Sequence, residues 1–145
     1  MTADLIQVRR RATHAWAVAA ILTFGSTLVL AKDVKVELTG AQETPPVTTS
    51  ATGQGTIRIG KNDSVSGTIK TTGVEGIAAH IHVGAPGEAG PPIITLTKGA
   101  NGSWTVPAGS KLTAEQLEDF KNGKLYVNVH SEQHKSGEIR GQLKP

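Results

Sequence analysis

The 145-residue chain contains no cysteine, and that absence removes several chemistries at once. Without thiols there is no disulfide, iron–sulfur cluster, blue-copper centre, cysteine-rich zinc site or cysteine nucleophile. Aromatic residues are almost as scarce. Two Trp, one Tyr and two Phe are too few for a platform that stacks sugars or bases. No Gly-x-Ser-x-Gly elbow and no glycine-rich phosphate loop is present, and Gly53-Gln54-Gly55 lacks the strand-to-helix setting of a dinucleotide motif. The chain also has little net charge. Of the formal +3, Arg9, Arg10 and Arg11 against Asp4 supply +2, which leaves +1 after residue 31 and removes the electrostatic basis for a nucleic-acid partner.

Long hydrophobic runs are missing as well. Ala15 to Leu30 carries no charge, but its sixteen residues include Thr23, Gly25, Ser26 and Thr27 and fall short of a span, which needs ~20. With the arginines before it and Val29-Leu30-Ala31 at its end, residues 1–31 read as a signal peptide cut before Lys32. A single domain of residues 32–145 would then be exported, to the periplasm or outside the cell, with no membrane contact once the leader is removed. An uncleaved anchor is the competing reading, and the arginine pair also fits twin-arginine export of a folded protein.

What is present is mostly period-two alternation. Val34, Val36 and Leu38 alternate with Lys35, Glu37 and Thr39, and Ile57 and Ile59 repeat the pattern. Gly60 to Asp63 then supplies a turn into a returning strand, Val65 to Lys70. Further strands are expected at Ala79 to Val83, Ile93 to Thr97, Ser103 to Val106, Leu125 to His130 and Ile139 to Leu143. Asn101-Gly102 is a tight-turn signal, and Gly84 to Pro92 a loop. One segment departs from this pattern. Thr113 and Gln116 form a capping box, Leu112 and Leu117 a hydrophobic staple, and Gly123 a C-terminal stop, so a helix is expected from Ala114 to Lys121. The sum is an all-β chain, an antiparallel Greek-key β-sandwich of immunoglobulin-like outline with one short helix.

Chemistry concentrates in the histidines. In a strand, His80 and His82 project from one face, opposite Ala79, Ile81 and Val83, with Cα atoms ~6.7 Å apart along the strand. His130 ends a second strand, and His134 follows in a polar turn. Neutral imidazoles on rigid strands suit Cu(II), Zn(II) or Ni(II), with copper bound tightest. His80, His82 and His130 are therefore expected to hold one copper ion, zinc being the next choice, with His134 or water as a fourth ligand. Behind them, pairing across the last hairpin would put Glu138 beside His130, accepting its far ring N–H, and Arg140 beside Asn128. The structural alternative is that the histidines hydrogen-bond loop carbonyls and pack against Pro86, Pro91 or Tyr126. Glu43, within Gln42-Glu43-Thr44-Pro45-Pro46, could be an acid–base group, but the prolines favour a rigid loop.

Several segments together resemble the CHRD domain, first described in chordin and widespread in secreted bacterial proteins. They are Leu38-Thr39-Gly40-Ala41-Gln42-Glu43-Thr44-Pro45-Pro46-Val47, Ala78-Ala79-His80-Ile81-His82-Val83-Gly84, Gly87, Gly90-Pro91, Tyr126-Val127-Asn128-Val129-His130-Ser131 and Gly137-Glu138-Ile139-Arg140-Gly141-Gln142-Leu143. Ser131 replaces a usual Thr, and Lys135-Ser136 a common Pro-Gly. The resemblance implies a secreted β-sandwich similar to copper–zinc superoxide dismutase, with the dismutase's copper-ligand roles on His80, His82 and His130. The bridging histidine and zinc loop of that enzyme have no counterpart, so no dinuclear site is expected. Three functions follow as alternatives: copper storage, delivery or weak redox chemistry; a metal-free module that binds another extracytoplasmic protein; and a dismutase-like enzyme with Arg140 as guiding cation. A homodimer is compatible with each.

Overall fold

A computed structural model describes residues 31–145. The leader expected over residues 1–31 lies outside the described residues except for Ala31. Nine strands and one helix follow in chain order: β1 (Lys32–Thr39), β2 (Thr52–Ile59), β3 (Val65–Thr72), β4 (Gly76–Val83), β5 (Pro92–Thr95), β6 (Thr97–Lys98), β7 (Ser103–Thr105), α1 (Ala114–Lys121), β8 (Leu125–Ser131) and β9 (Ile139–Leu143). All ladders are antiparallel.

The strand order β5-β4-β8-β9-β1-β2-β3-β7-β6 nearly closes on itself. β1, β2 and β3 form a meander, the chain crosses over to β4, and the β8–β9 hairpin returns to lie between β4 and β1. The single strand expected at Ile93 to Thr97 breaks at Leu96, whose N–H donates to the Ala79 carbonyl at 2.9 Å. On one side of the break β5 pairs with β4; on the other β6 pairs with β7. One short segment thus belongs to both halves of the sandwich, and the result is a barrel-like sheet around one core. Val36, Leu38, Ile57, Ile69, Ile81, Val127, Val129, Ile139 and Trp104 are buried in it. Gly76 lies against Trp104, where a Cβ would come within 2.7 Å of the indole.

The local signals hold where they are strongest. Thr113 Oγ1 accepts from the Gln116 N–H at 3.2 Å while Gln116 Oε1 accepts from the Thr113 N–H at 2.9 Å, closing the capping box of α1. Asn101 and Gly102 both have positive φ, 54° and 73°, as a two-residue hairpin turn requires.

The β1–β9 seam is joined by one ladder pair only, Thr39 with Arg140. The Gln42 side chain closes the gap beyond it, donating to the Glu37 carbonyl at 2.9 Å and accepting from the Gln142 N–H at 3.3 Å. The Gln42-Glu43 motif therefore fastens a loop across the seam and onto the outer face of β8 and β9. Those strands are the exception to the alternation: apart from His130, every residue of β8 and β9 is buried on both faces.

Candidate metal centre

β4 and β8 pair with His80 opposite Asn128, His82 opposite Tyr126 and Ala78 opposite His130. This register brings the three imidazoles together on the outer face. One ring nitrogen from each of His80, His82 and His130 lies within 4.8 Å of the others. Ring centroids are 5.4 Å apart for His80–His82, 4.9 Å for His80–His130 and 5.8 Å for His82–His130.

The hydrogen bonds determine which nitrogens are free. A carbonyl can only accept, so a ring nitrogen facing one carries the proton. His82 Nδ1 donates to the Gly90 carbonyl at 2.8 Å, and His130 Nδ1 to the Lys135 carbonyl at 2.9 Å. Both rings in their neutral form therefore carry an unprotonated Nε2. His80 Nδ1 lies 3.0 Å from His130 Nε2 and must be the donor of that pair. His82 Nε2 is buried and has no partner. An unsatisfied buried acceptor costs ~1 to 3 kcal/mol, and a cation is one group that would satisfy it.

Burial lowers the pKa of all three histidines below the ordinary value. For His80 the neighbouring His130 adds to this; for His82, the Gly90 hydrogen bond opposes it while His80, His130 and Arg140 reinforce it; for His130 the Lys135 bond opposes it. At neutral pH the cluster is thus three neutral rings, the form that binds metal. The donor set fits a borderline transition-metal ion.

The other expected residues are placed differently. Glu138 is buried, but its Oε1 accepts from the Thr49 hydroxyl at 2.8 Å, and the far N–H of His130 goes to the Lys135 carbonyl instead. The turn places the Lys135 carbonyl against the ring five residues after His130, before Glu138 is reached. His134 stays outside the nitrogen cluster, and its backbone N–H caps Ser131 Oγ at 3.1 Å. Arg140 does pair with Asn128 across the hairpin. It is 2% exposed, however, and so is no solvent-facing guide for an anion. Asn128 donates to Glu43 Oε1 at 2.5 Å, not to a histidine.

Strand alternation does not assign the burial of this layer, although loop carbonyls and Tyr126 are histidine partners that the structural alternative names. Glu43 is buried, and desolvation raises its pKa to about 7 against the lowering effects of Arg140, the Thr44 N–H and Asn128. Tyr126 stacks on His82, with centroids 4.9 Å apart and planes at 11°. Gly90 serves both, its carbonyl holding His82 and its N–H reaching the Tyr126 hydroxyl at 3.2 Å. The Gly84 to Pro92 loop, which in sequence fits a cover over the histidines as well as an ordinary crossover, does cover this face, its Ala85, Glu88 and Gly90 carbonyls accepting from Arg140 and His82. Nδ1 of His82 and of His130 is used by loop carbonyls, while Nε2 of His130 accepts from His80 and Nε2 of His82 has no partner.

Among the described residues, no helix is long and apolar enough to cross a membrane. No curated protein and no solved structure matches the chain. A family model described as the CHRD domain matches residues 34–143, from the first buried valine of β1 to the last residue of β9. With that match spanning the described barrel and its histidine cluster, the chain belongs to the CHRD domain family.

Proposed function

We propose that this domain binds a single copper ion through His80, His82 and His130 and serves in copper storage, delivery or weak redox chemistry outside the cytoplasm, after export and removal of residues 1–31. The observation that carries the reading is the buried, partnerless Nε2 of His82 in a cluster whose ligand nitrogens lie within 4.8 Å of one another. His82 and His130 are held by carbonyls in the tautomer that offers Nε2, the usual way a protein orients imidazole ligands. His80 joins them by moving its proton off the hydrogen bond it shares with His130. Copper supplies the strongest divalent binding at such nitrogens and, when bound, one-electron chemistry. Zinc is the alternative ion.

Titration of the purified protein with Cu(II), followed by electron paramagnetic resonance, is expected to give one nitrogen-rich signal at one equivalent. Removal of His80 and His130 together by alanine is expected to abolish it. Unchanged affinity in that double variant would sink the proposal.

A further inference from the structure

Behind His82 the fold builds a column that ligation alone does not require. Tyr126 stacks on the His82 ring, and the Arg140 guanidinium lies 3.5 Å from the Tyr126 ring centre. β8 lies between β4 and β9, so histidine and arginine reach the tyrosine from opposite sides. Tyr126 holds His82 in a second way, because its hydroxyl accepts from Gly90, whose carbonyl takes the His82 proton. Gly90 cannot be replaced without moving this arrangement: a Cβ there would sit 1.7 Å from the Val83 carbonyl oxygen.

The charge of the column is poorly compensated. Arg140 donates to the carbonyls of Ala85 and Glu88, to Gln142 Oε1 and to Thr44 Oγ1, all neutral. None of the ion pairs among the described residues involves it. Glu43 is close enough to feel Arg140, but with a pKa of about 7 it cancels the charge only in part near neutrality. The histidine cluster itself contains no carboxylate.

We infer that the Arg140–Tyr126–His82 column tunes the site by oxidation state: it fixes the plane and tautomer of His82 while a buried cation behind it disfavours divalent ions, shifting the balance of affinities toward the cuprous ion and away from cupric and zinc ions. This rests on the three-histidine reading above. A unit charge at ~10 Å and an effective dielectric constant of ~20 changes the relative affinity for ions differing by one charge roughly tenfold. For copper that corresponds to ~59 mV in reduction potential.

The test measures dissociation constants for Cu(I), Cu(II) and Zn(II) at pH 7 by chelator competition. In Arg140→Met both divalent ions are expected to tighten roughly tenfold relative to Cu(I), while Arg140→Lys stays near wild type. Glu43→Gln, which removes the partial counter-charge, is expected to move the ratio the other way and carries the test alone if Arg140→Met does not fold. In the metal-free protein, ¹⁵N NMR is expected to find His82 as one Nδ1–H tautomer, averaging with the other in Tyr126→Leu. An unchanged ion ratio, an Arg140→Lys that shifts like Arg140→Met, or a His82 tautomer indifferent to Tyr126→Leu would overturn the inference. Wild-type protein that binds none of the three ions would overturn the three-histidine reading, a result distinct from binding with an unaltered ratio.

Discussion

The two outer faces of this sheet are made from similar alternating strands and end in opposite environments. On β1, β2 and β3 the outward residues Lys35, Glu37, Gln54, Thr56, Arg58, Thr68 and Lys70 are exposed, and the Arg58–Asp33 ion pair at 3.0 Å has both side chains more than half open to solvent. On β4, β8 and β9 the outward residues His82, Tyr126, Asn128, Arg140 and Gln142 are buried. Their cover is the loop carrying Gln42 and Glu43 and the loop between β4 and β5. Ala85, Glu88 and Gly90 of that second loop turn their carbonyls inward. A polar side chain on the first face exchanges one water for another. On the second it must find a protein partner, and nearly every group does. The exceptions in this layer, His82 Nε2 and Asn128 Oδ1, mark where it is incomplete. The histidine group that could hold a metal lies on this second face.

Arginine truncation should sharpen the contrast most. Arg140→Ala strands four acceptors and empties the space over Tyr126, and should cost about 3 kcal/mol or more in denaturant unfolding, whereas Arg58→Ala should cost less than about 0.5 kcal/mol. Equal losses for the two arginines would break the comparison. Saturating copper is next in size: at one hundred times its dissociation constant it should add about 2.7 kcal/mol to stability. Thermal unfolding should show this gain in wild type and not after His80→Ala with His130→Ala. Glycine replacement should discriminate by place: Gly90→Ala meets the Val83 carbonyl and should cost about 2 kcal/mol or more. Gly87→Ala has open space and only a positive φ of 82° to overcome, so about 1 kcal/mol should suffice. Urea midpoints of the two variants decide the matter.

The dependence of stability on pH tests the covered face in a different way. Histidines with lowered pKa contribute stability above their ordinary value near 6.5, and it is lost as pH falls through the lowered values in the fold. Glu43 works in the other direction. Its raised pKa contributes stability at low pH that is lost as pH climbs from 4.5 through about 7. Glu43→Gln should remove that second decline, and wild type and variant should diverge in unfolding midpoints across this interval. Parallel curves would mean that Glu43 is solvated like the carboxylates of the open face.

Much of this could be read from residues near one another in the chain. The alternation at Val34 to Leu38 and at Ile57 and Ile59 reports one buried face, and those strands form as expected. The capping box fixes the start of α1, because its two hydrogen bonds span only three residues. The shared face of His80 and His82 follows from strand geometry, and the family motif adds His130. Alternation fails for β8 and β9, since it has no means of representing a face covered by a loop from elsewhere. The same limit misassigned Glu138, whose pairing depended on where a turn would put the Lys135 carbonyl.

The sequence by itself determined the class of the fold, the single helix, the absence of thiol chemistry and which side chains can carry a metal. Each depends on composition or on residues a few positions apart. Only the tertiary structure decided that the three imidazoles converge, that Gly90 and Lys135 set the tautomers of His82 and His130, and that Tyr126 and Arg140 stand behind His82. The His80–His130 approach and the bonds of Tyr126 and Arg140 to the cover join residues 36 to 55 positions apart, which no local pattern represents. The Gly90 and Lys135 carbonyls lie only 8 and 5 positions from their histidines, but the path of a loop, not a periodicity, turns them toward the rings.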